Sequence, residues 1–360
     1  MEDDSTGARE IRQAREGVLG ELRRALRALE LSGRRLLVAA SGGLDSTVLA
    51  HALHALSRLE GVTLGLGHVH HGLRGEESDA DAACVEALAH KLAVEFLQRR
   101  VDPRSARDGQ SSRLRPTLQE AARALRYAAL EDMAGHFGAD AIVTAHHADD
   151  QAETVVLRLL RGAGSDGLGG IPERSEDGRV ARPLLRVPRA DLERYARVLG
   201  LEWREDRSNR SPAYARNRLR GEWLPGLAQA FNPQLLRRIC DLAEAQRRDA
   251  EWLGGLVDEE ASKRFRTEAD GLRIDATGFS KLPEALARRL ARAALRRCGA
   301  GRDVSRAHLE RMTAFLREPR AGRMLEFPRS LRLVKRHGRV CHLGVSRSEP
   351  FVELGPPGTC

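Results

Sequence analysis

The stretch Arg35-Leu36-Leu37-Val38-Ala39-Ala40-Ser41-Gly42-Gly43-Leu44-Asp45-Ser46 decides the fold. Arg35 to Ala40 is a short apolar run, residues 41 to 43 form a glycine turn, and helical spacing of apolar residues continues from about Asp45 to Leu59, so the segment reads as strand, loop and helix. Glycines let the backbone approach a ligand closely and aim successive N–H groups at it. The helix N-terminus adds positive potential, which together suits a bound anion. Ser41 and Ser46 add hydroxyl groups, and Leu44 contributes backbone. The loop is not the nucleotide-hydrolase sequence G-x-x-x-x-G-K-S/T, because no lysine lies near it. Without a lysine to hold the β and γ phosphates for hydrolysis, the loop suits a pyrophosphate retained as a leaving group. The Asp45 carboxylate cannot bind phosphate by itself and is explained as a ligand for Mg²⁺ bridging phosphate oxygens. A plain turn followed by a capped helix would use the same residue types.

Working outward, strand patterns at 62 to 70, 94 to 101 and 139 to 145 alternate with helical patterns at about 76 to 92, 117 to 135 and 148 to 161. Such alternation predicts an α/β fold, a doubly wound and mostly parallel sheet with ligands at the carboxyl ends of its strands. Ahead of it, residues 9 to 30 read as an amphipathic helix. After the glycine-rich stretch Gly162 to Gly170 the alternation weakens, and from about 205 the chain reads as mostly helical. Asn232-Pro233 opens a long helical pattern reaching about Phe265, and others run from Pro283 to Arg297 and from Ser305 to Glu318. Short strand patterns at 324 to 327, 331 to 336 and 340 to 343 predict a small C-terminal β element. The expected division is a helix at 1–33, an α/β domain carrying the glycine loop at 34–205, a smaller helical and mixed domain at 206–345 and a tail at 346–360.

Two further clusters fall at predicted strand ends. The second strand closes with His68-Val69-His70-His71-Gly72-Leu73-Arg74, and the fourth with Thr144-Ala145-His146-His147-Ala148-Asp149-Asp150-Gln151-Ala152-Glu153-Thr154. Asp149 and Glu153, four apart at a helix start, share one face. Acids in a first turn are favoured by the helix dipole in any case, but two acids beside two adjacent histidines exceed what capping requires. Between the clusters, Thr117 and Glu120 form a predicted capping box, and Arg123 and Arg126 lie on one face where they could meet phosphate or acceptor.

Taken in order, S-G-G-L-D-S after the first apolar strand is the signature of the PP-loop ATP pyrophosphatases, and H-V-H-H-G-L-R, E-A-A-R-A-L-R-Y and A-H-H-A-D-D-Q-A-E-T, with Glu205 to Asn209 and Arg216-Asn217-Arg218-Leu219-Arg220, resemble the tRNA(Ile)-lysidine synthetase family. The resemblance covers about residues 34 to 230 with specific motifs and extends more loosely to about 345. It implies ATP with Mg²⁺, free L-lysine and tRNA(Ile) with a CAU anticodon as substrates and partners, a helical domain that helps hold the tRNA, and it is compatible with a homodimer. Some members carry a further C-terminal domain, which this reading expects to be absent here. In these terms Ser41, Gly42, Gly43, Leu44, Asp45, Ser46 and His68 are expected to bind ATP, with Asp45 also the metal ligand. Asp45, Asp149 and Glu153 are the expected catalytic residues, and His71, Arg74, Arg123, Arg126, His146, Arg216 and Asn217 face lysine or tRNA.

Composition agrees without deciding. A net charge of +9 suits a polyanionic partner. Only four of the 60 basic residues are lysines, however, a skew that, alongside abundant alanine, a GC-rich genome also produces. Aromatic residues are 4% of the chain, so no base-stacking platform shows as a pattern. No apolar run approaches the roughly 18 to 20 residues of a membrane span, and the acidic start Met1-Glu2-Asp3-Asp4 does not read as a secretory signal, so the expectation is a cytoplasmic protein. Cys84, Cys240, Cys298, Cys341 and Cys360 are scattered and never form C-x-x-C, which speaks against a disulfide framework, a thiolate zinc site or a sulfur-transferring relative. A metal-dependent phosphohydrolase built on the His and Asp clusters leaves the glycine loop unexplained. A purely binding protein would form no AMP.

Overall fold

Residues 35–39 form a central strand because their apolar side chains are needed on both faces. Leu36 and Val38 point into one buried layer and Leu37 into the other. The computed structural model describes residues 2–72, 75–105, 117–205, 215–300, 304–320 and 322–345, and the chain divides into two compact units, Met1–Arg247 and Arg248–Cys360.

The first unit runs α1 (Glu2–Ala28), β1 (Arg35–Ala39), α2 (Leu44–Glu60), β2 (Thr63–His70), α3 (Glu76–Leu92), β3 (Glu95–Arg100), α4 (Leu118–Phe137), β4 (Ala141–Val143), α5 (Ala148–Leu160), the short α6 (Ser165–Leu168), β5 (Val180–Ala181), α7 (Arg189–Val198), α8 (Ala215–Arg218), a π turn at Leu219–Trp223 and α9 (Leu224–Ala230). A longer helix, α10 (Leu235–Arg264), crosses the boundary between the units. All strand pairs in the first sheet are parallel, in the order β3-β2-β1-β4-β5. The order reverses between β1 and β4, and their carboxyl ends therefore flank the crevice where such sheets take ligands. The expected parallel fold is what is observed. The two-residue strand β5 and helix α7 were not foreseen, and α1 begins at Glu2 where the pattern suggested residue 9, because residues 2 to 4 carry no apolar periodicity.

Packing explains several local choices. In β2, a Cβ at Gly65 would stand 3.0 Å from the Phe137 ring, so glycine there gives α4 its seat on the sheet. Thr117 caps α4 as predicted, accepting from Glu120 N–H at 3.2 Å while the Glu120 carboxylate accepts from Thr117 N–H at 2.9 Å. The glycine-rich stretch after α5 is pinned to that helix. The Gln151 amide brackets Ile171, and Arg158 Nη1 donates to the carbonyls of Gly167 and Gly170.

The second unit holds β6 (Phe265–Glu268), β7 (Gly271–Asp275), α11 (Glu284–Arg297), α12 (Arg306–Arg317), β8 (Met324–Phe327), β9 (Leu331–His337) and β10 (Val340–Val345). Its strands form an antiparallel sheet in the order β6-β7-β10-β9-β8, and α11 and α12 contribute Leu290, Ala294, Leu295, Met312 and Leu316 to its core. The hairpin β6–β7 enlarges the predicted small β element to five strands.

Helix α1 belongs to the first unit's core. Val18, Leu22 and Leu26, four apart, are buried with the residues of β1 and α2. Its far end is fixed by buried Glu60, the last residue of α2, which accepts from Ser32 Oγ at 2.7 Å, Arg27 Nη2 at 3.0 Å and Arg23 Nε at 3.0 Å. The Ser32 and Arg27 hydrogen bonds depress the Glu60 pKa. A depressed folded-state value gives stability that is present above the unfolded carboxylate pKa and lost as pH falls through the folded one. Glu60→Gln is therefore expected to destabilise the protein by about 1 to 3 kcal/mol at pH 7. In urea titrations the gap from wild type should close under acid conditions; a gap independent of pH would count against the ionised pairing.

Candidate active site

Three strand ends, those of β1, β2 and β4, build the site. After β1 the chain turns through Ser41, Gly42 and Gly43 into α2, and Gly42 sits at φ 82°, a left-handed value that glycine adopts without steric cost. A Cβ there would also stand 3.2 Å from the Asp81 carbonyl. Gly43 occupies the N-cap of α2 with no side chain closing the helix start, so the first-turn amides of Leu44 and Asp45 point out of the helix end without intrahelical acceptors. Ser46 is buried and laces the loop: its Oγ donates to Gly43 O at 3.0 Å and accepts from Ser41 N–H at 3.1 Å. Ser41 is exposed, and its hydroxyl is the better placed of the two to meet a ligand. Leu44 is buried, so any part it takes in binding comes from its backbone. Arg204 N–H donates to Gly42 O at 2.9 Å and Arg204 Nε to Asp81 at 2.6 Å, holding the loop's outer side.

At the end of β2, buried His68 donates from Nδ1 to the Ala40 carbonyl at 2.9 Å. Burial pushes its pKa below the usual imidazole value, leaving Nε2 as a buried lone pair with no hydrogen-bond partner among the described residues. His70 ties the strand end to α3, donating from Nε2 to Asp79 at 2.9 Å and accepting from Gly72 N–H at Nδ1. His71 follows, half-buried, while Arg74 lies outside the described residues.

The end of β4 faces the glycine loop. His147 is fully buried, with Nε2 3.6 Å from Asp45 Oδ2 and 3.5 Å from Asp150 Oδ2, and Nδ1 3.5 Å from Asp149 Oδ2. Burial alone would lower its pKa, but Asp149, Asp45 and Asp150 outweigh burial and raise it to about 9, so the ring is a cation at neutral pH. The neighbouring ring behaves oppositely. His146 touches Thr144 Oγ1 at 2.8 Å, and burial, assisted by Arg182, Arg126 and Arg123, drives its pKa to about 4. On α4, the guanidinium carbons of Arg123 and Arg126 lie 5.0 and 5.5 Å from the Tyr127 ring centre.

The acids divide their work. Asp149 Oδ2 accepts from Arg189 N–H at 2.8 Å, at the start of α7. Glu153, with a side-chain exposure of 0%, accepts from Arg216 Nε and Arg220 Nε, each at 2.6 Å. Asp150 Oδ1 accepts from Arg216 at 2.9 Å and Arg220 at 3.1 Å, while Asp150 Oδ2 accepts from His147 N–H. Burial of Asp150 is outweighed by His147 and Arg216, which lower its pKa. Glu153 is thus grouped with Asp150 and the two arginines, and Asp149 turns instead towards His147 and α7. Asn217 is half-buried in α8 beside Arg216. Sequence reasoning did not single out His147, Asp150 or Arg220 for a role. The D-D pair and the R-N-R-L-R run were the available signals. A buried carboxylate with two guanidinium groups cannot act as a free base, but it fixes where those arginines stand. Burial also keeps the thiols protonated, raising Cys84 and Cys298, Cys240 to about 12 and Cys341 to about 11.

The sequence matches the PP-loop domain family over residues 18–227 and the TilS substrate binding domain over residues 275–341. A tRNA(Ile)-lysidine synthase of Symbiobacterium thermophilum is 36% identical, the match covering 90% of this chain and 67% of that protein. The chain belongs to the tRNA(Ile)-lysidine synthase family. The same-named protein of Solibacter usitatus is 36% identical over 91% of this chain and 69% of its own length. A U34-tRNA thiolase from Methanococcus maripaludis superposes with a TM-score of 0.53 at 17% identity, covering 65% of this chain and 78% of that one, and so shares the fold.

Two outcomes follow from the geometry. Gly42→Ala should raise the KM for ATP about tenfold, the scale of a 1 to 2 kcal/mol left-handed strain, in steady-state assays with thermal stability monitored alongside. Arg220→Leu should lower stability by about 1 to 3 kcal/mol by leaving Glu153 half-paired. In a double-mutant cycle with Glu153→Gln the two losses should not add; additive losses would mean the pair is not coupled.

Proposed function

We propose that the chain joins free L-lysine to C2 of the wobble cytidine in tRNA(Ile) bearing a CAU anticodon, using ATP and releasing AMP and pyrophosphate. One observation carries this reading: the open glycine turn at the end of β1 faces the acid–histidine–arginine cluster at the end of β4, within a chain of this family. A pyrimidine C2 carbonyl is a poor electrophile, because its oxygen cannot leave until it is a phosphate ester. The C2 oxygen attacks the α-phosphorus, a bond forms to AMP, and pyrophosphate departs with the electron pair. The ε-amine of lysine then bonds to C2, the C2–O bond breaks, and AMP leaves.

The residues supply the setting for each step. Residues 41–46 receive the pyrophosphate through backbone amides and the Ser41 hydroxyl. His68 Nε2, fixed as an acceptor by the Nδ1 bond to Ala40, suits an N–H donor of the nucleotide. Asp45 is the residue to hold Mg²⁺, since its Oδ1 is buried with no hydrogen-bond partner among the described residues, as an oxygen ligand for a hard cation would be. When bound, the ion neutralises charge on the departing diphosphate. Lysine must attack as a neutral amine although its ammonium is mostly protonated at neutral pH, so the incoming cation needs acidic neighbours that accept or orient a proton. Asp149 and Glu153 were the carboxylates expected for this; Asp149 keeps that part, while Glu153, held with Asp150 by Arg216 and Arg220, fixes where those arginines stand. His71, Arg123, Arg126, His146, Arg216 and Asn217 frame the acceptor side. In this reading residues 34–205 carry catalysis and 206–345 help hold the tRNA.

The test is ATP-dependent incorporation of labelled lysine into tRNA(Ile), with glutamine, ammonia and sulfide as control donors and AMP separated from inorganic phosphate. Incorporation with AMP formation is expected; phosphate release, or sulfur incorporation, would overturn the reading. Asp45→Ala should abolish tRNA-dependent ATP/pyrophosphate exchange while the chain still folds, as circular dichroism would show, and retained exchange would remove Asp45 from the site.

A further inference from the structure

The helical stretch that brings Arg216 and Arg220 to α5 continues as an apolar stripe. Trp223, Leu227 and Phe231 recur every four residues and so line one face, with exposures of 55%, 39% and 81%. Trp223 lies three residues after Arg220, which sets the near end of the stripe about one helical turn from the Arg220 contacts to Glu153 and Asp150. The intervening segment is the π turn, in which Leu224 N–H reaches back five residues to Leu219 O, a form that recurs at functional sites. That turn packs against α5, whose terminal Leu159 and Leu160 are also exposed.

The surrounding charge selects the occupant. Over residues 215–240 the chain carries Arg216, Arg218, Arg220, Arg237 and Arg238 against the single acid Glu222, with Arg216 and Arg220 met by Glu153 and Asp150 and Arg238 by Asp241, which leaves the segment weakly basic. A polyanion whose exposed groups are flat and apolar meets both demands. Unpaired RNA bases have π faces that stack on aromatic rings while their phosphates favour arginine.

We propose that Trp223 and Phe231 stack unpaired bases of the anticodon loop, holding the loop beside the site while its reacting cytidine enters the crevice at the carboxyl ends of β1 and β4. This rests on the RNA substrate proposed above and names the side chains that grip it. Leu227 fills the face between the two rings. Stacking tolerates any base, so the stripe fixes the loop's position and leaves sequence discrimination to other contacts.

The experiment titrates a labelled CAU anticodon stem–loop, and a fully paired duplex of equal length, against the full chain as wild type, Trp223→Ala, Trp223→Phe and Phe231→Ala. Each alanine variant should weaken stem–loop binding about tenfold, Trp223→Phe should largely retain it, and duplex binding should be the same for all four. In lysine incorporation, the KM for tRNA should rise with little change in kcat. Phe231 is the more exposed ring, so Phe231→Ala reports on binding even where Trp223→Ala disturbs packing. Unchanged stem–loop affinity in both alanine variants, or equal weakening of stem–loop and duplex, overturns the proposal. So does a dimer seen by sedimentation that Trp223→Ala dissociates, which would give the face to a second copy. Ring-dependent stem–loop binding in a wild-type protein that incorporates no lysine would overturn the reaction and leave the stacking face standing.

Discussion

The site depends on one electrostatic arrangement, a buried imidazolium among carboxylates at the point where the sheet reverses its strand order. His147 meets Asp45 from the glycine loop, and Asp149 and Asp150 from its own helix start. A single buried positive charge thereby joins the end of β1 to the end of β4, the two strands between which a ligand must lie. Asp149 carries the link onward to the first amide of α7, and Asp150 carries it to Arg216 and Arg220. Four acids set against one imidazolium and two guanidinium groups leave a surplus of negative charge, which suits a cationic substrate and a divalent ion better than phosphate. On the other side the glycine loop offers backbone amides and no basic side chain of its own, an arrangement that suits an anion.

The two adjacent histidines show how closely that field is graded. Burial pushes both rings towards neutrality, yet His147 is raised to about 9 and His146 lowered to about 4. His147 stands among three carboxylates, while His146 feels Asp150 on one hand and Arg182, Arg126 and Arg123 on the other, so the field changes sharply from one residue to the next.

Legibility followed locality. The strand, glycine loop and helix at 35–60 could be read because each signal sits within a few residues of the next, and the same holds for the Thr117–Glu120 capping box. Strand β5, only Val180–Ala181, is too short to show a period, and hairpin β6–β7 mixes charge into its alternation, so neither stood out. At the site, four-residue spacing joined Asp149 to Glu153. The fold joins Glu153 to Asp150 instead, because both face arginines supplied by α8 and the π turn. No periodicity in the sequence encodes a contact made across that distance. The aromatic stripe was hidden for a similar reason: two rings within a composition of 4% aromatics become a platform only when a helix aligns them.

Glu153 carries a consequence for how the molecule is made. Its carboxylate is sealed inside the first unit, yet its counter-charges come 63 and 67 residues later in the chain. A nascent polypeptide ending before Arg216 would leave this carboxylate of α5 without either guanidinium partner, so the pairing completes only after residues 216–220 have been made. Maturation of the catalytic crevice is in this way timed to the synthesis of the helix that carries its guanidinium partners.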